Sequence, residues 1–268
     1  MKTKSHPLLG VHSLVMMIFI YVPILFIVAY SFNSSRLAAD WSGFTFDWYV
    51  SLFENRHVME ALANSLTVAI VSTVTSTVLG TLAALAMRKL GRRYKAGMGG
   101  LLYLPIIIPD IIMGLSLLVL FNQLHMPLGK MTIIIAHITF SLSYVYVVVT
   151  TRLSGMGGQL EEAAQDLGAS SWQTFRHVTL PQIAPGIISG ALIAFTLSLD
   201  DFMVSFFVSG PNSTTLPIYI YGQVKRGISP EINALCTILI LVTVTLIFLA
   251  QFMLNRGKGQ KKQSVLPF

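Results

Sequence analysis

Three features of the sequence predict an all-helical integral membrane protein with six transmembrane helices. The 268 residues are 54% hydrophobic and only 11% charged, too few charges to solvate the surface of a soluble domain of that length. The apolar residues are gathered into blocks of membrane-spanning length. The net charge of +7 is carried by short basic clusters beside those blocks, as topology signals are, and not by one extended patch suited to nucleic acid.

Residues Pro7 to Ser35 carry no Asp, Glu, Lys or Arg, which exceeds the roughly 20 residues a membrane helix needs and places the first span at about 11–32. Lys2 and Lys4 precede it like the n-region of a signal peptide. The apolar run is too long for an h-region and no small-residue cleavage site follows, so the helix is expected to stay uncleaved. Asn33 to Glu60 mixes Trp41, Trp48 and Tyr49 with acids, the composition of an interfacial external loop that is partly helical. The second span, at about 61–87, places Ser65, Ser72, Ser76 and Gly80 on one helical face, and small residues allow close helix approach. Arg88-Lys89 and Arg92-Arg93-Tyr94-Lys95 follow it as a topology anchor.

The third span, at about 101–121, holds Pro105, Pro109 and Asp110, and the fourth covers about 132–151. After a polar stretch at 152–185, the fifth span runs from about 186 to 209 through Asp200-Asp201, and Gly210-Pro211-Asn212 ends it with turn chemistry. Asn212 to Asn233 is an external segment with room for a short helix. The sixth span covers about 234–254, and a basic tail, Arg256 to Lys262, closes a single domain, 1–268.

The polar stretch is the most specific part of the chain. Gln159 to Leu167 is helix-forming, with Glu161 and Glu162 in the first turn where the helix dipole favours acids, and Gly168 stands where a left-handed cap belongs. Ser170 and Gln173 fit a capping box, so a second short helix is expected from Ser171 towards His177, stopped by Leu180-Pro181. Glu162-Ala163-Ala164, Gly168 six residues after the Glu, and Val178-x-Leu180-Pro181 ten residues after the Gly resemble the EAA loop of the permease subunits of ATP-binding-cassette importers. The one departure is Val178 in an Ile position. The resemblance implies the type I importer permease fold and makes Glu162, Ala163, Ala164, Gly168, Leu180 and Pro181 a coupling element that docks on an ATPase subunit.

Orientation follows from the basic residues. A six-span chain puts Lys2, Lys4, Arg88, Lys89, Arg92, Arg93, Lys95, Arg152, Arg176, Arg256, Lys258, Lys261 and Lys262 on one side. It puts only Arg36, Arg56, Lys130, Lys225 and Arg226 on the other. Both termini and the EAA-like loop are therefore expected in the cytoplasm.

No catalytic chemistry is visible. The Gly-Lys pairs at Gly129 and Gly257 lack the other residues of a phosphate-binding P-loop, so no cofactor is expected in this chain, with ATP and Mg belonging to the partner ATPase. His6, His12, His57, His125, His137 and His177 have no metal-ligand spacing and read as interfacial or packed. The single Cys236 forms no intrachain disulfide.

The informative polar residues are Asp110, Asp200 and Asp201, because an ionised carboxylate near the bilayer centre costs roughly 2.5–3.5 kcal/mol on insertion scales. On a continuous helix Ser198, Asp201, Ser205 and Ser209 share one face, which makes Asp201, with Ser198 and Ser205, the first candidate for lining a pathway. The competing reading has the acids bonded to backbone freed near Pro105 and Pro109, or at the membrane edge.

A second resemblance covers nearly the whole chain. Ser31-Phe32-Asn33-Ser34-Ser35-Arg36, Pro109-Asp110-Ile111-Ile112, Thr196-Leu197-Ser198-Leu199-Asp200-Asp201 with Ser209-Gly210-Pro211, and Ser229-Pro230-Glu231-Ile232-Asn233-Ala234 are similar to the spermidine/putrescine permeases of the PotC and PotI type. This implies a permease subunit in a bacterial inner membrane. Its implied partners are a second, different permease chain, two ATPase subunits and an external polyamine-binding protein, with the lipid bilayer around it and no nucleic acid. The alternatives are a permease for another small solute and an ion-coupled secondary transporter, which the EAA-like loop argues against.

The topology is testable by single cysteines. One at Gly158 should be labelled by an impermeant maleimide only from the cytoplasmic side and one at Asn212 only from outside. Labelling of both from one side refutes the six-span arrangement.

Overall fold

The computed structural model describes residues 7–35, 40–227 and 229–258. Lys2, Lys4, Arg36, Lys261 and Lys262 of the topology count lie outside them. The helices, in chain order, are α1 (Pro7–Tyr30), α2 (Asp47–Glu54), α3 (Arg56–Lys89), α4 (Arg92–Ile107), α5 (Asp110–Gln123), α6 (Lys130–Ser154), α7 (Gln159–Asp166), α8 (Ser171–Thr174), a π-helical turn (Phe175–Thr179), α9 (Leu180–Asp200), α10 (Met203–Val208), α11 (Leu216–Arg226) and α12 (Pro230–Lys258). Among the described residues the only β pairing is one isolated bridge, Asn33 with Phe44. Four helical runs among the described residues are long and apolar enough to cross a membrane, or five if the bent pair α4–α5 counts as one span.

The chain forms two compact units, Met1–Met59 with Ile220–Thr245, and Glu60–Tyr219 with Leu246–Phe268. In the first, α1 turns its apolar side chains outward, Phe19 being 77% exposed, as a helix in lipid does. Asn33 organises the loop after it. Its side-chain amide donates to the Asp40 carbonyl (2.7 Å) and accepts from the Ser42 amide (2.9 Å), while its own carbonyl accepts from the Trp48 indole (2.7 Å). Pro230 opens α12, and Glu231 beside it accepts from the Asn55 amide at 2.7 Å.

The second unit is built on α6. Its residues supply both apolar cores, Ile133, Ala136 and Phe140 to one and Val145, Val149 and Leu153 to the other, and it packs most extensively against α9. The small-residue face of α3 meets it as expected. Ser72 and Ser76 are fully buried, and a Cβ on Gly80 would stand 2.9 Å from the Leu142 carbonyl oxygen and from Val145. A Cβ on Gly190 of α9 would stand 3.3 Å from the Val145 Cα.

Three places depart from simple helices. The stretch of the third span holds two helices, α4 and α5, that meet at 107° across Ile108-Pro109. Pro109 denies its predecessor the helical region, and Ile108 is extended at φ −70°, ψ 132°. The stretch of the fifth span is not one continuous helix: α9 ends at Asp200 and Asp201 takes ψ 120° before α10 begins. Pro181 does not stop the second short helix. The π-helical turn widens the backbone just ahead of it, the Leu180 amide reaching back to the Phe175 carbonyl, and this relieves the missing N–H and the ring clash, so one helical run continues from Ser171 to Asp200.

Gly80→Val should therefore destabilise the protein by about 1–3 kcal/mol, the usual cost of overpacking a tight helix contact. The readout is the thermal midpoint of the detergent-solubilised protein, and an unchanged midpoint would mean that α3 and α6 do not meet at Gly80.

Candidate functional site

A buried imidazole sits where four helices of the second unit converge. His137 of α6 has no exposed surface. Its Nδ1 lies 2.7 Å from the Ser198 Oγ of α9, and its Nε2 lies 2.9 Å from the Ser205 Oγ of α10 and 3.2 Å from a carboxylate oxygen of Asp201. Ser198 is in turn 3.2 Å from the Ser72 hydroxyl of α3. Every polar atom of the ring is thus partnered, as a polar group inside an apolar bundle must be.

The same contacts explain the helix break. Asp201 turns its carboxylate onto the first turn of α10, accepting from the amides of Ser205 (2.7 Å) and Val204 (3.3 Å), which is how an acid caps a helix N-terminus. Ser198, Asp201 and Ser205 do come together, but on His137 and across a break instead of along a continuous stripe. Ser209 stays apart, its hydroxyl turned to the Phe206 carbonyl. His137, read from the sequence as interfacial or packed, is packed; what the sequence did not disclose is that it gathers Ser198, Ser205 and Asp201. The available signal was a single imidazole in an apolar segment facing a segment rich in Ser and Asp.

Beside this network a cavity of about 350 Å³ opens, and all three predicted acids, Asp110, Asp200 and Asp201, line it. Asp110 begins α5 at the Pro109 bend and Asp200 ends α9; both are exposed. The Asp201 side chain keeps only 9% of its surface. Phe140, Tyr144 and Phe202 complete much of the wall, so carboxylates stand among aromatic faces, both of which attract a cation.

The polar loop at the far end of α9 is shaped as its sequence requires. Gly168 takes φ +87° with open space around it, so its conformation and not its size demands glycine. The amides of Gly168 and Ala169 donate back to the carbonyls of Gln165 and Ala164 respectively, the two hydrogen bonds of a left-handed cap. Both halves of the Ser170–Gln173 capping box are present, at 3.3 and 2.8 Å. The acid that holds this loop is Glu161, one residue before the motif. Arg88 donates to it at 2.7 Å and the Thr179 hydroxyl at 2.6 Å. The Arg88 hydrogen bond, more than any other influence, holds the Glu161 carboxyl below the usual glutamate range, with Thr179 and Lys89 adding to it and partial burial opposing it. Glu162, Ala163 and Pro181 are exposed and Ala164 is half-buried. With Leu180 (37% exposed), Leu167 (90%) and Trp172 (66%) they leave a partly apolar outer face free.

Residues 76–259 match the family model described as "Binding-protein-dependent transport system inner membrane component". The chain is 42% identical over 254 residues to the putrescine transport system permease protein PotI of Escherichia coli (strain K12), covering 92% of this chain and 90% of that protein. It is 41% identical over 242 residues to the spermidine/putrescine transport system permease protein PotC of the same strain, covering 90% of this chain and 92% of the other. In fold it is similar to a bacterial ABC transporter involved in the import of the acidic polysaccharide alginate, with a TM-score of 0.74 and 21% identity, over 93% of this chain and 94% of that one.

His137→Ala would take one hydrogen bond each from Asp201, which keeps the Val204 and Ser205 amides, from Ser198, which keeps Ser72, and from Ser205, at about 0.5–1.5 kcal/mol for each bond lost. The variant should melt well below the parent, whereas His137→Gln, which keeps polar atoms on the side chain, should recover part of the loss. Equal melting of His137→Ala and the parent protein would remove the network from any structural role.

Proposed function

Because the chain belongs to the family of binding-protein-dependent transport system inner membrane components, we propose that it is the permease subunit of an ATP-driven importer whose solute is a polyamine. The observation that carries the substrate class is the cavity in which Asp110, Asp200 and Asp201 stand among Phe140, Tyr144 and Phe202. A polyammonium ion entering a low-dielectric bundle loses hydration from several charges at once. Fixed carboxylates offset part of that cost, and aromatic faces hold the ion loosely enough for release. The accessible Asp110 and Asp200 would meet the solute, while Asp201, committed to His137 and the α10 amides, fixes the cavity wall. The names of the two relatives, which concern putrescine and spermidine, favour the same class.

The transport cycle follows from the same elements. The outer face of the loop around Glu162, Gly168 and Leu180 would seat on an ATPase subunit, and the helical run Ser171–Asp200 ends at the acidic cavity. Closure of two ATPase subunits around ATP and Mg would thus act on the helix that carries Asp200. The second permease chain would supply the other half of the pathway, and an external binding protein would deliver the solute. Six spans with both termini in the cytoplasm fit this cycle. The unequal distribution of basic residues supports that orientation, as does the pairing of Arg88 from the topology cluster with Glu161 of the loop.

Uptake of labelled putrescine and spermidine by the complete complex in proteoliposomes tests the reading. Transport should need ATP on the loop side, and an ion gradient alone should not drive it; the reverse result would make the protein a secondary transporter. Asp110→Asn and Asp200→Asn should each lower uptake at subsaturating solute by about tenfold, the worth of one charge-assisted contact, with assembly of the complex unchanged. Wild-type uptake by both variants would place the solute elsewhere.

A further inference from the structure

We propose that the loop-side end of the bundle holds a second, oppositely charged site, a pocket for a phosphate group between α3, α4 and α6. A cavity of about 380 Å³ opens there, with Arg88 and Lys95 in its wall and no carboxylate among its lining residues. The volume is more than ten times the ~30 Å³ share of one water, enough for a glycerophosphate headgroup. Arg88 spends one guanidinium nitrogen on Glu161 and keeps further N–H donors, since the group carries five. Lys95 is exposed and makes no ion pair among the described residues.

Two further observations select an anion. The lining adds two hydroxyl-bearing residues, Thr150 and Ser154, to the cations. The remaining wall is apolar, including Met87 and Leu153, so the cavity is polar on one part of its wall and greasy on another. A cationic solute of the kind proposed for the acidic cavity would find only like charge here. A phosphodiester with attached hydrocarbon fits both parts, which makes an anionic phospholipid headgroup the first source of the phosphate and free phosphate the second.

The test measures binding on the complete transporter and so stands or falls independently of the uptake experiments. Native mass spectrometry counts phosphatidylglycerol retained by the complex as the lipid is titrated, for the parent, for Lys95→Gln, and for Arg93→Gln. Arg93→Gln removes one charge from the same cluster outside the cavity, and Lys95→Gln leaves the Arg88–Glu161 pair in place. Lys95→Gln should weaken retention of one lipid roughly five- to tenfold, with Arg93→Gln near the parent. Equal loss in both variants would mean diffuse surface charge and no site, and equal retention in all three without any binding of inorganic phosphate that depends on Lys95 would mean that the cavity holds no phosphate group; either result overturns the proposal. A parallel titration with inorganic phosphate separates the sources. Saturable binding of inorganic phosphate that Lys95→Gln abolishes, together with unchanged lipid retention, would keep the phosphate site and assign it a soluble ligand.

Discussion

The second unit depends on the requirement that His137 have all its polar atoms satisfied inside an apolar bundle. One ring nitrogen takes a serine from α9 and the other takes a serine from α10 with the Asp201 carboxylate, and the chain of hydroxyls reaches α3 through Ser72. An unpartnered polar group is costly in such surroundings, which favours the helix arrangement that completes the set. That arrangement forces the backbone open at Asp201. The opening in turn places Asp200 and Asp201 on the wall of the cavity that Asp110 reaches from the Pro109 bend.

The loop end is organised by a different constraint, the continuity of the helix that begins at Ser171. Pro181 would ordinarily end it. The π-helical turn over Phe175–Thr179 takes up the strain instead, and Thr179 at the end of that turn bonds Glu161, which also holds Arg88 at the end of α3. The loop is therefore braced against two long helices at once. The loop thus sits at one end of a continuous helical run whose other end carries Asp200. The unit is also polarised in charge, with acids lining the cavity at the α9 C-terminus and cations lining the cavity at the α3 C-terminus.

Much of this was legible in the sequence because the signals are local. Gly168 and the Ser170–Gln173 pair state their own geometry within a few residues, and each takes it. The small-residue face of α3 is a matter of helical spacing alone, and the apolar blocks needed only their length. Pro109 gave warning of the bend at the third span, yet the angle is set by what α4 and α5 pack against, which no local signal carries.

The sequence by itself determined the membrane class, the helical blocks, the caps of the EAA-like loop and the three acids, since length, period and capping chemistry act between near neighbours. Only the tertiary structure decided that the fifth span breaks at Asp201, because the bonds that stabilise the break come partly from His137, on another helix. It likewise decided that Glu161 and not Glu162 grips Arg88. Adjacent glutamates differ only by the roughly 100° between successive helical positions, and which of them faces inward is fixed by where α3 ends in space.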